Sequence, residues 1–126
     1  MKSLIFIVAH NAEAHLESVF RRIPYDRLHA GCEIIVIDDA SPDGTFEVGQ
    51  KAAESCPIPV RVLKNPKNLG YGGNQKVGYE IAIQEEFDAV VLLHGGQAAR
   101  PRSTLCLKTE RQKLFYAPNI TQEYAH

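Results

Sequence analysis

Apolar residues occur along this chain in short continuous runs, each followed by a segment in which they recur at helical spacing. The first run, Leu4 to Ala9, has the length of a buried parallel strand. Apolar positions then repeat every three or four residues from Leu16 to Ile23, and Pro24 ends the pattern. This region predicts one strand followed by one amphipathic helix.

The same unit recurs further along the chain. Strands are predicted at residues 33–37, 60–63 and 89–93, and helices at residues 45–55 and 74–86. Alternating strands and helices with short connections predict an α/β fold, a three-layer, doubly wound and mostly parallel sheet of about four strands. Right-handed crossovers then place the carboxyl ends of all these strands at one edge, where open α/β sheets bind ligands. We assign residues 1–97 to this domain.

Residues 98–126 follow neither the strand period nor the helix period and are locally basic at their start. They form an atypical tail with two open interpretations. In one, its apolar residues cover an edge of the sheet, and in the other the segment is disordered. The residues that would provide the cover are Leu105, Leu107, Leu114 and Phe115.

Composition narrows the class of protein. The chain has 126 residues, of which 44% are hydrophobic, enough for one domain with a core that needs no disulfide or metal. Its 14 basic and 15 acidic residues give no global field that would attract nucleic acid. The opening apolar run is too short for a signal-peptide core or a membrane span, so we expect a cytoplasmic chain without a transmembrane segment. The cysteines, Cys32, Cys56 and Cys106, lack zinc-like spacing and are expected to be packing residues.

Candidate chemistry collects at the predicted strand ends. The second strand stops on Asp38 and Asp39, and Ser41 and Pro42 then resemble a helix N-cap and a first helical residue. A carboxylate at a strand end can accept hydrogen bonds from a ribose hydroxyl or a base N–H. Lys67 and the backbone N–H groups of the glycine-rich loop that follows it suit a diphosphate. A nucleotide site is therefore predicted, with Asp43 favoured as a turn-stabilising residue.

Two other nucleotide or phosphate classes fit less well. The run Gly70-Tyr71-Gly72-Gly73 matches neither the dinucleotide fingerprint nor the P-loop, and it follows the third strand, which disfavours a redox dinucleotide fold. A phosphoacceptor receiver domain needs a single aspartate at the end of a later buried strand. The later strands end in Lys64 and His94 instead, which disfavours a receiver domain.

Three segments in order resemble the family 2 glycosyltransferases: Val8 to Glu13, Glu33 to Thr45, and Asn68 to Asn74. The resemblance covers roughly residues 3–97, the nucleotide-sugar-binding half of a GT-A fold. It is strongest to the polyprenyl-phosphate, or dolichol-phosphate, sugar transferase branch. It implies an inverting hexosyltransferase that uses a nucleoside-diphosphate sugar and a polyprenyl-phosphate or glycan acceptor, at the inner face of a membrane.

The resemblance also implies roles for individual residues. The segment after the first strand lies beside the nucleotide, the acid pair holds base or ribose, and the glycine-rich loop flanks the ligand. The nucleotide-sugar-binding residues implied in this way are His10, Asn11, Glu13, Asp38, Asp39, Lys67, Asn68, Gly70 and Gly72.

The chain departs from the family pattern after its fourth strand. Family members carry an acidic D-x-D type motif there, sometimes His-Gly-Asp-Gly-Gln, which binds Mg²⁺ or Mn²⁺. The residues here are His94, Gly95, Gly96 and Gln97, without an aspartate. Because hard divalent cations prefer carboxylate oxygens, His94 and Gln97 make at best a degenerate metal site.

Residues 98–126 do not resemble the acceptor-binding half of the family, so no catalytic residue is assigned. A shifted reading frame near His94 or a truncated chain would each explain this. Three hypotheses remain open: a sugar transferase with impaired turnover, a module that binds nucleotide without transfer, and a poorly folded remnant that exposes apolar surface.

Overall fold

Four parallel strands form the centre of the sheet. The computed structural model describes residues 2–95 and the backbone of residues 103–108 and 114–117. In chain order the parallel strands are β1 (Ser3–Ala9), β2 (Cys32–Asp38), β3 (Val60–Lys64) and β4 (Ala89–His94). They lie in the order β3-β2-β1-β4, which places the first strand between its two partners. The four predicted strands and the doubly wound α/β class are confirmed.

Two further strands extend the sheet beyond β4. They are β5 (Ser103–Lys108) and β6 (Leu114–Ala117), and both pair antiparallel to their neighbour. The backbone of β5 is therefore paired along the edge of β4. The rest of residues 96–126 lies outside the described residues.

Three helices pack on the sheet: α1 (Leu16–Arg22), α2 (Thr45–Glu54) and α3 (Gly70–Gln84). All three were predicted, but α3 begins four residues before the expected Asn74, because the glycine-rich run forms its first turn. In the described part of the chain, no helix is long and apolar enough to cross a membrane.

Helix α2 begins at residue 45 as predicted, but the prediction of its N-terminal cap is wrong. Ser41 and Pro42 were predicted as the N-cap and first helical residue, but the helix begins at Thr45. The Ser41 hydroxyl donates instead to the buried Asp38 carboxylate, a charged acceptor that makes a stronger hydrogen bond than a helical N–H would offer. Asp43 takes over at the helix start, since its Oδ1 accepts from the Thr45 backbone N at 3.1 Å. This confirms the turn-stabilising role favoured for Asp43.

The core forms two layers because successive strand residues point to opposite faces of the sheet. One layer lies under α3 and includes Phe6 and Ile37, whereas the other lies under α1 and α2 and includes Ile7 and Val36. The face under α3 is called the α3 face below, and the opposite one the α1/α2 face. The free thiols of Cys32 and Cys56 both lie in the α1/α2 layer, as expected for packing residues.

The carboxyl end of α3 is closed by a Schellman motif. The Phe87 backbone N donates to the Ala82 carbonyl at 2.9 Å, and the Glu86 backbone N donates to the Ile83 carbonyl at 3.2 Å. Glu86 occupies the left-handed position with φ +59°, where glycine is the preferred residue. Phe87 and Ala82 are both fully buried in the α3 layer, which anchors this end of the helix.

Candidate functional site

A crevice of about 350 Å³ opens at the carboxyl edge of the sheet, on its α3 face. It lies between the ends of β1, β2 and β4 and the first turn of α3. Its lining consists of Val8, Ala9, His10, Asp39, Asn68, Gly70, Tyr71, Asn74 and His94.

Strand register explains why three of these residues meet. Val8 of β1 is level with Ile37 of β2 and with His94 of β4. His10 lies two residues after Val8, and Asp39 lies two residues after Ile37. Because side chains alternate along a strand, both point to the same face as Val8 and Ile37. The ends of three adjacent strands thus present His10, Asp39 and His94 toward α3.

Asp39 is the crevice carboxylate and is only 3% exposed. Its Oδ1 accepts from the Asn65 side-chain Nδ2 at 2.9 Å and from the Leu69 backbone N at 2.8 Å. Within residues 2–95 no group donates to its Oδ2. Because Leu69 immediately precedes α3, the carboxylate also occupies the positive end of that helix. Asp39 therefore keeps one acceptor oxygen for a ligand.

His10 lies beside Asp39 and is held from both ring nitrogens. Its Nδ1 lies 3.1 Å from the Asp39 backbone carbonyl. Because a carbonyl can only accept, Nδ1 carries the proton and is the donor. Its Nε2 then acts as an acceptor and lies 3.5 Å from Asn68 Nδ2. Asn68 Oδ1 in turn accepts from the Gly70 backbone N at 2.7 Å, which ties the loop before α3 to β1.

Tyr71 and His94 form the opposite wall of the crevice. Their rings are stacked with centroids 5.0 Å apart and planes 6° from parallel. The Tyr71 hydroxyl lies 2.9 Å from His94 Nε2. The imidazole that was considered as a metal ligand is therefore engaged with an aromatic side chain from α3.

Asn11, Glu13 and Asp38, three of the predicted binding residues, do not line this crevice. Asp38 is fully buried, and its Oδ1 accepts from the Ser41 backbone N at 3.1 Å and from the Ser41 hydroxyl at 2.5 Å. Its Oδ2 is buried without a hydrogen-bond partner in the described region. Asn11, at φ +50°, donates its backbone N to the Ser41 hydroxyl at 2.9 Å. The Glu13 carboxylate lies against Gly44, where an added Cβ would collide with it.

A second set of hydrogen bonds joins the loops after β1 and β2. The Ala12 backbone N donates to Thr45 Oγ1 at 2.9 Å, and the Thr45 hydroxyl donates to Asp43. This hydroxyl, helped by backbone N–H groups, holds the pKa of Asp43 below its usual value, against a smaller opposing effect of burial. The set fixes the start of α2 relative to β1.

The glycine-rich run contributes unevenly. Gly70 lines the crevice and has φ +79°, a conformation that favours glycine. A Cβ added at Gly72 would meet nothing within 4 Å, and Gly72 does not line the crevice. Lys67, the predicted diphosphate contact, is exposed outside the crevice lining.

The described residues do not fit a divalent cation. Among residues 2–95, no three His, Cys, Asp or Glu side chains are close enough to hold one. His94 packs against Tyr71, and Gln97 lies outside the described residues. The segment from His94 to Gln97 has no carboxylate in its sequence, so it lacks the oxygen ligands that Mg²⁺ or Mn²⁺ prefers.

Sequence reasoning missed three residues of the site, namely Asn65, Tyr71 and Asn74. A signal for Asn74 was present, because the buried positions of α3 are Asn74, Gly78 and Ala82, at a spacing of four. A polar residue in a buried helical stripe needs a partner, which points to a hydrogen-bond network. No comparable sequence pattern marks Asn65.

A mostly parallel sheet with alternating helices and a polar crevice at its carboxyl edge defines a Rossmann-like α/β domain. Residues 4–94 match the family model described as Glycosyl transferase family 2. The chain belongs to that family, as its sequence motifs indicated.

Two curated relatives have names from the polyprenyl-phosphate branch. A dolichol-phosphate mannosyltransferase of Pyrococcus furiosus is 33% identical over 87 residues, which cover 69% of this chain and 24% of that protein. A polyprenol monophosphomannose synthase of Mycolicibacterium smegmatis is 26% identical over 93 residues, covering 71% and 33%. The chain therefore spans between a quarter and a third of the length of these relatives.

Solved structures support the fold. The mannosyltransferase PcManGT of Pyrobaculum calidifontis, in complex with GDP-Man and Mn²⁺, superposes with a TM-score of 0.67 at 20% identity, over 77% of this chain and 28% of that one. The glucosyl-3-phosphoglycerate synthase of Mycobacterium tuberculosis, in complex with Mn²⁺, UDP and glucosyl-3-phosphoglycerate, gives 0.58 at 22%, over 75% and 33%. These similarities confirm the Rossmann-like part of a GT-A fold.

Proposed function

We propose that this chain is the nucleotide-sugar-binding part of an inverting glycosyltransferase. The donor is a nucleoside-diphosphate sugar and the acceptor a polyprenyl phosphate or a glycan. Family membership and the names of the two curated relatives support this assignment. Because a polyprenyl phosphate is held in a membrane, we place the reaction at the inner membrane face.

The observation that carries the proposal is the Oδ2 acceptor of Asp39 in the crevice, to which no group of residues 2–95 donates. A carboxylate attracts N–H and O–H donors and repels phosphate. The nucleoside end of the ligand therefore binds at Asp39, beside His10, and the diphosphate lies away from this carboxylate. Asp39 already occupies the positive end of α3, which weakens the earlier expectation that the glycine-rich turn cradles the diphosphate.

Transfer requires more than donor binding. In an inverting reaction the acceptor oxygen attacks the anomeric carbon as the nucleoside diphosphate leaves, so negative charge must be stabilised at the leaving group. An acceptor hydroxyl also needs a base, whereas a phosphate acceptor is already charged. Residues 2–95 offer no cation-binding group for the first task.

A second candidate function is therefore binding without transfer. We propose that the 126-residue chain binds nucleoside diphosphates with little dependence on a divalent cation and does not release sugar. The absence of a carboxylate between His94 and Gln97 favours binding without transfer for the 126-residue chain. The transferase reading applies to a protein that also has an acceptor-binding half.

Calorimetry on the 126-residue chain tests donor binding. The ligands are UDP, GDP, UDP-glucose and GDP-mannose, each with and without Mn²⁺. The decisive variant is Asp39→Asn, which keeps an oxygen for Asn65 and Leu69 but presents an amide NH₂ to the crevice. We expect at least a tenfold loss of affinity, about 1.4 kcal/mol, and no change in the exposed control Asp26→Asn.

Two outcomes would contradict parts of this proposal. Failure of folded protein to bind any of the four ligands, or equal binding by Asp39→Asn, would overturn the nucleotide site. Transfer of labelled sugar to dolichyl phosphate by this chain alone would overturn the binding-only reading and favour the transferase.

A further inference from the structure

Asn65 connects two residues of the crevice lining, Asn74 and Asp39, in a network of hydrogen bonds. Asn74 Nδ2 donates to the Ile37 backbone carbonyl at 3.1 Å, and Asn65 Nδ2 donates to Asn74 Oδ1 at 3.0 Å. The same Asn65 nitrogen donates to Asp39 Oδ1 at 2.9 Å. We propose that Asn65 and Asn74 are positioning residues that orient Asp39 for nucleotide binding, an inference that rests on the function proposed above.

The two end partners of this network, the Ile37 carbonyl and the Asp39 carboxylate, determine the orientation of both amides. The Ile37 carbonyl can only accept, so Asn74 must turn its NH₂ group toward it and its oxygen toward Asn65. Asn65 must then present its NH₂ group to Asn74. The second hydrogen of that group reaches the Asp39 carboxylate, which also can only accept. A backbone carbonyl of β2 thereby fixes Asn65 as a donor to one oxygen of Asp39.

Burial makes this arrangement specific. Asn74 is 2% exposed and Asn65 is 7% exposed, so neither amide can replace a lost partner with bulk water. A buried polar group that loses its partner costs about 1–3 kcal/mol. Rotation of either amide would place oxygen against oxygen, at Ile37 or at Asp39. The network therefore strongly disfavours any rotamer of Asp39 that withdraws Oδ1 from Asn65.

As a consequence, the Asp39 carboxylate presents one acceptor oxygen to a ligand in the crevice. Oδ1 of Asp39 is occupied by Asn65 and Leu69, and Oδ2 is left for the ligand. Asn74 also lines the crevice, but its amide oxygen and nitrogen each have a protein partner. Because Asn74 is only 2% exposed, we assign it an action through Asp39 rather than direct contact with the ligand.

A double-mutant cycle tests this coupling on the 126-residue chain. The variants are Asn74→Ala, Asp39→Ala and the double variant, and the readout is the dissociation constant of UDP and of GDP by calorimetry. We expect each single variant to weaken binding about tenfold. The double variant should also lose only about tenfold, because Asn74 has nothing to orient once Asp39 is removed. Gln84→Ala, at the exposed end of α3, is the control and should bind as the unmodified chain does.

The outcomes separate this inference from the proposed function. A double variant weakened about a hundredfold would show that Asn74 supports binding independently of Asp39, and this would overturn the positioning role alone. Unchanged nucleotide binding by Asn74→Ala would also overturn the positioning role alone. If the unmodified chain binds neither UDP nor GDP, both the proposed function and the positioning role are overturned. If Asn74→Ala does not fold, Asn65→Ala replaces it in the cycle with the same expected values.

Discussion

Asp38 and Asp39 are adjacent in the chain, yet their carboxylates lie on opposite faces of the sheet. Asp38 continues the α1/α2 face and bonds to Ser41, whereas Asp39 lies on the α3 face and bonds to Asn65 and Leu69. Adjacent strand residues must diverge in this way. The acid pair is therefore two separate sites, one that stabilises a loop and one that faces the crevice.

Removal of Asp38 should mainly lower stability. We expect Asp38→Ala to reduce the free energy of unfolding by about 2 kcal/mol, because two hydrogen bonds from Ser41 to a buried carboxylate are lost. Urea denaturation followed by circular dichroism measures this change, with Asp26→Ala as the exposed control. An unchanged denaturation midpoint for Asp38→Ala would contradict the structural role.

Acid should weaken the start of α2 through Asp43. Because the Thr45 hydroxyl lowers the pKa of Asp43 in the folded state, this carboxylate adds stability above the unfolded pKa of about 3.9. That contribution is lost as pH falls through the lower, folded pKa. Asp43→Asn should therefore lose less stability than the unmodified chain between about pH 5 and pH 3. Urea midpoints at four pH values provide the test, and parallel curves for both proteins would refute it.

Glu86 offers a stabilising substitution far from the crevice. Its left-handed backbone, φ +59°, strains any residue with a Cβ, so Glu86→Gly should raise the free energy of unfolding by about 1 kcal/mol. The control Glu80→Gly lies on the exposed side of α3 and should lower it by about 1 kcal/mol. Thermal melts of both variants measure the effect. A lower melting temperature for Glu86→Gly would be inconsistent with the Schellman motif.

Insertion of one aspartate between Gly95 and Gly96 should create a response to metal. The resulting sequence, His-Gly-Asp-Gly-Gln, contains the carboxylate that divalent cations prefer as a ligand. We expect Mn²⁺ to strengthen the binding of GDP or UDP by tenfold or more in this variant and by less than twofold in the unmodified chain. Calorimetry with and without Mn²⁺ distinguishes the two, and insertion of alanine at the same place is the control. Equal responses to Mn²⁺ would count against the metal role of this segment.

The sequence was sufficient to predict the four parallel strands of the sheet, but not the antiparallel strands β5 and β6. A continuous apolar run such as Leu4 to Ala9 has the length typical of a strand buried on both faces, and Pro24 lies two residues after the end of α1. Crossover rules then placed His10 and Asp39 at one edge, and both line the crevice.

What escaped prediction depends on contacts between distant segments. Ser41 has the sequence context of a helix cap, but a buried carboxylate three residues earlier competes for its hydroxyl. Asn65 is one of several polar residues after β3, and only the folded chain shows that its amide meets Asp39 and Asn74. The division of the acid pair, by contrast, follows from strand alternation and was predictable once β2 was recognised.

The strand order β3-β2-β1-β4 has a consequence for synthesis on the ribosome. Strand β1 is made before both of the strands that pair with it, and β4, its second neighbour, is made some eighty residues after it. Until Ala89 to His94 has left the exit tunnel, β1 has one open edge of backbone N–H and C=O groups, which is prone to pair with other strands. The nascent chain would therefore be most exposed to misassembly just before the crevice is completed.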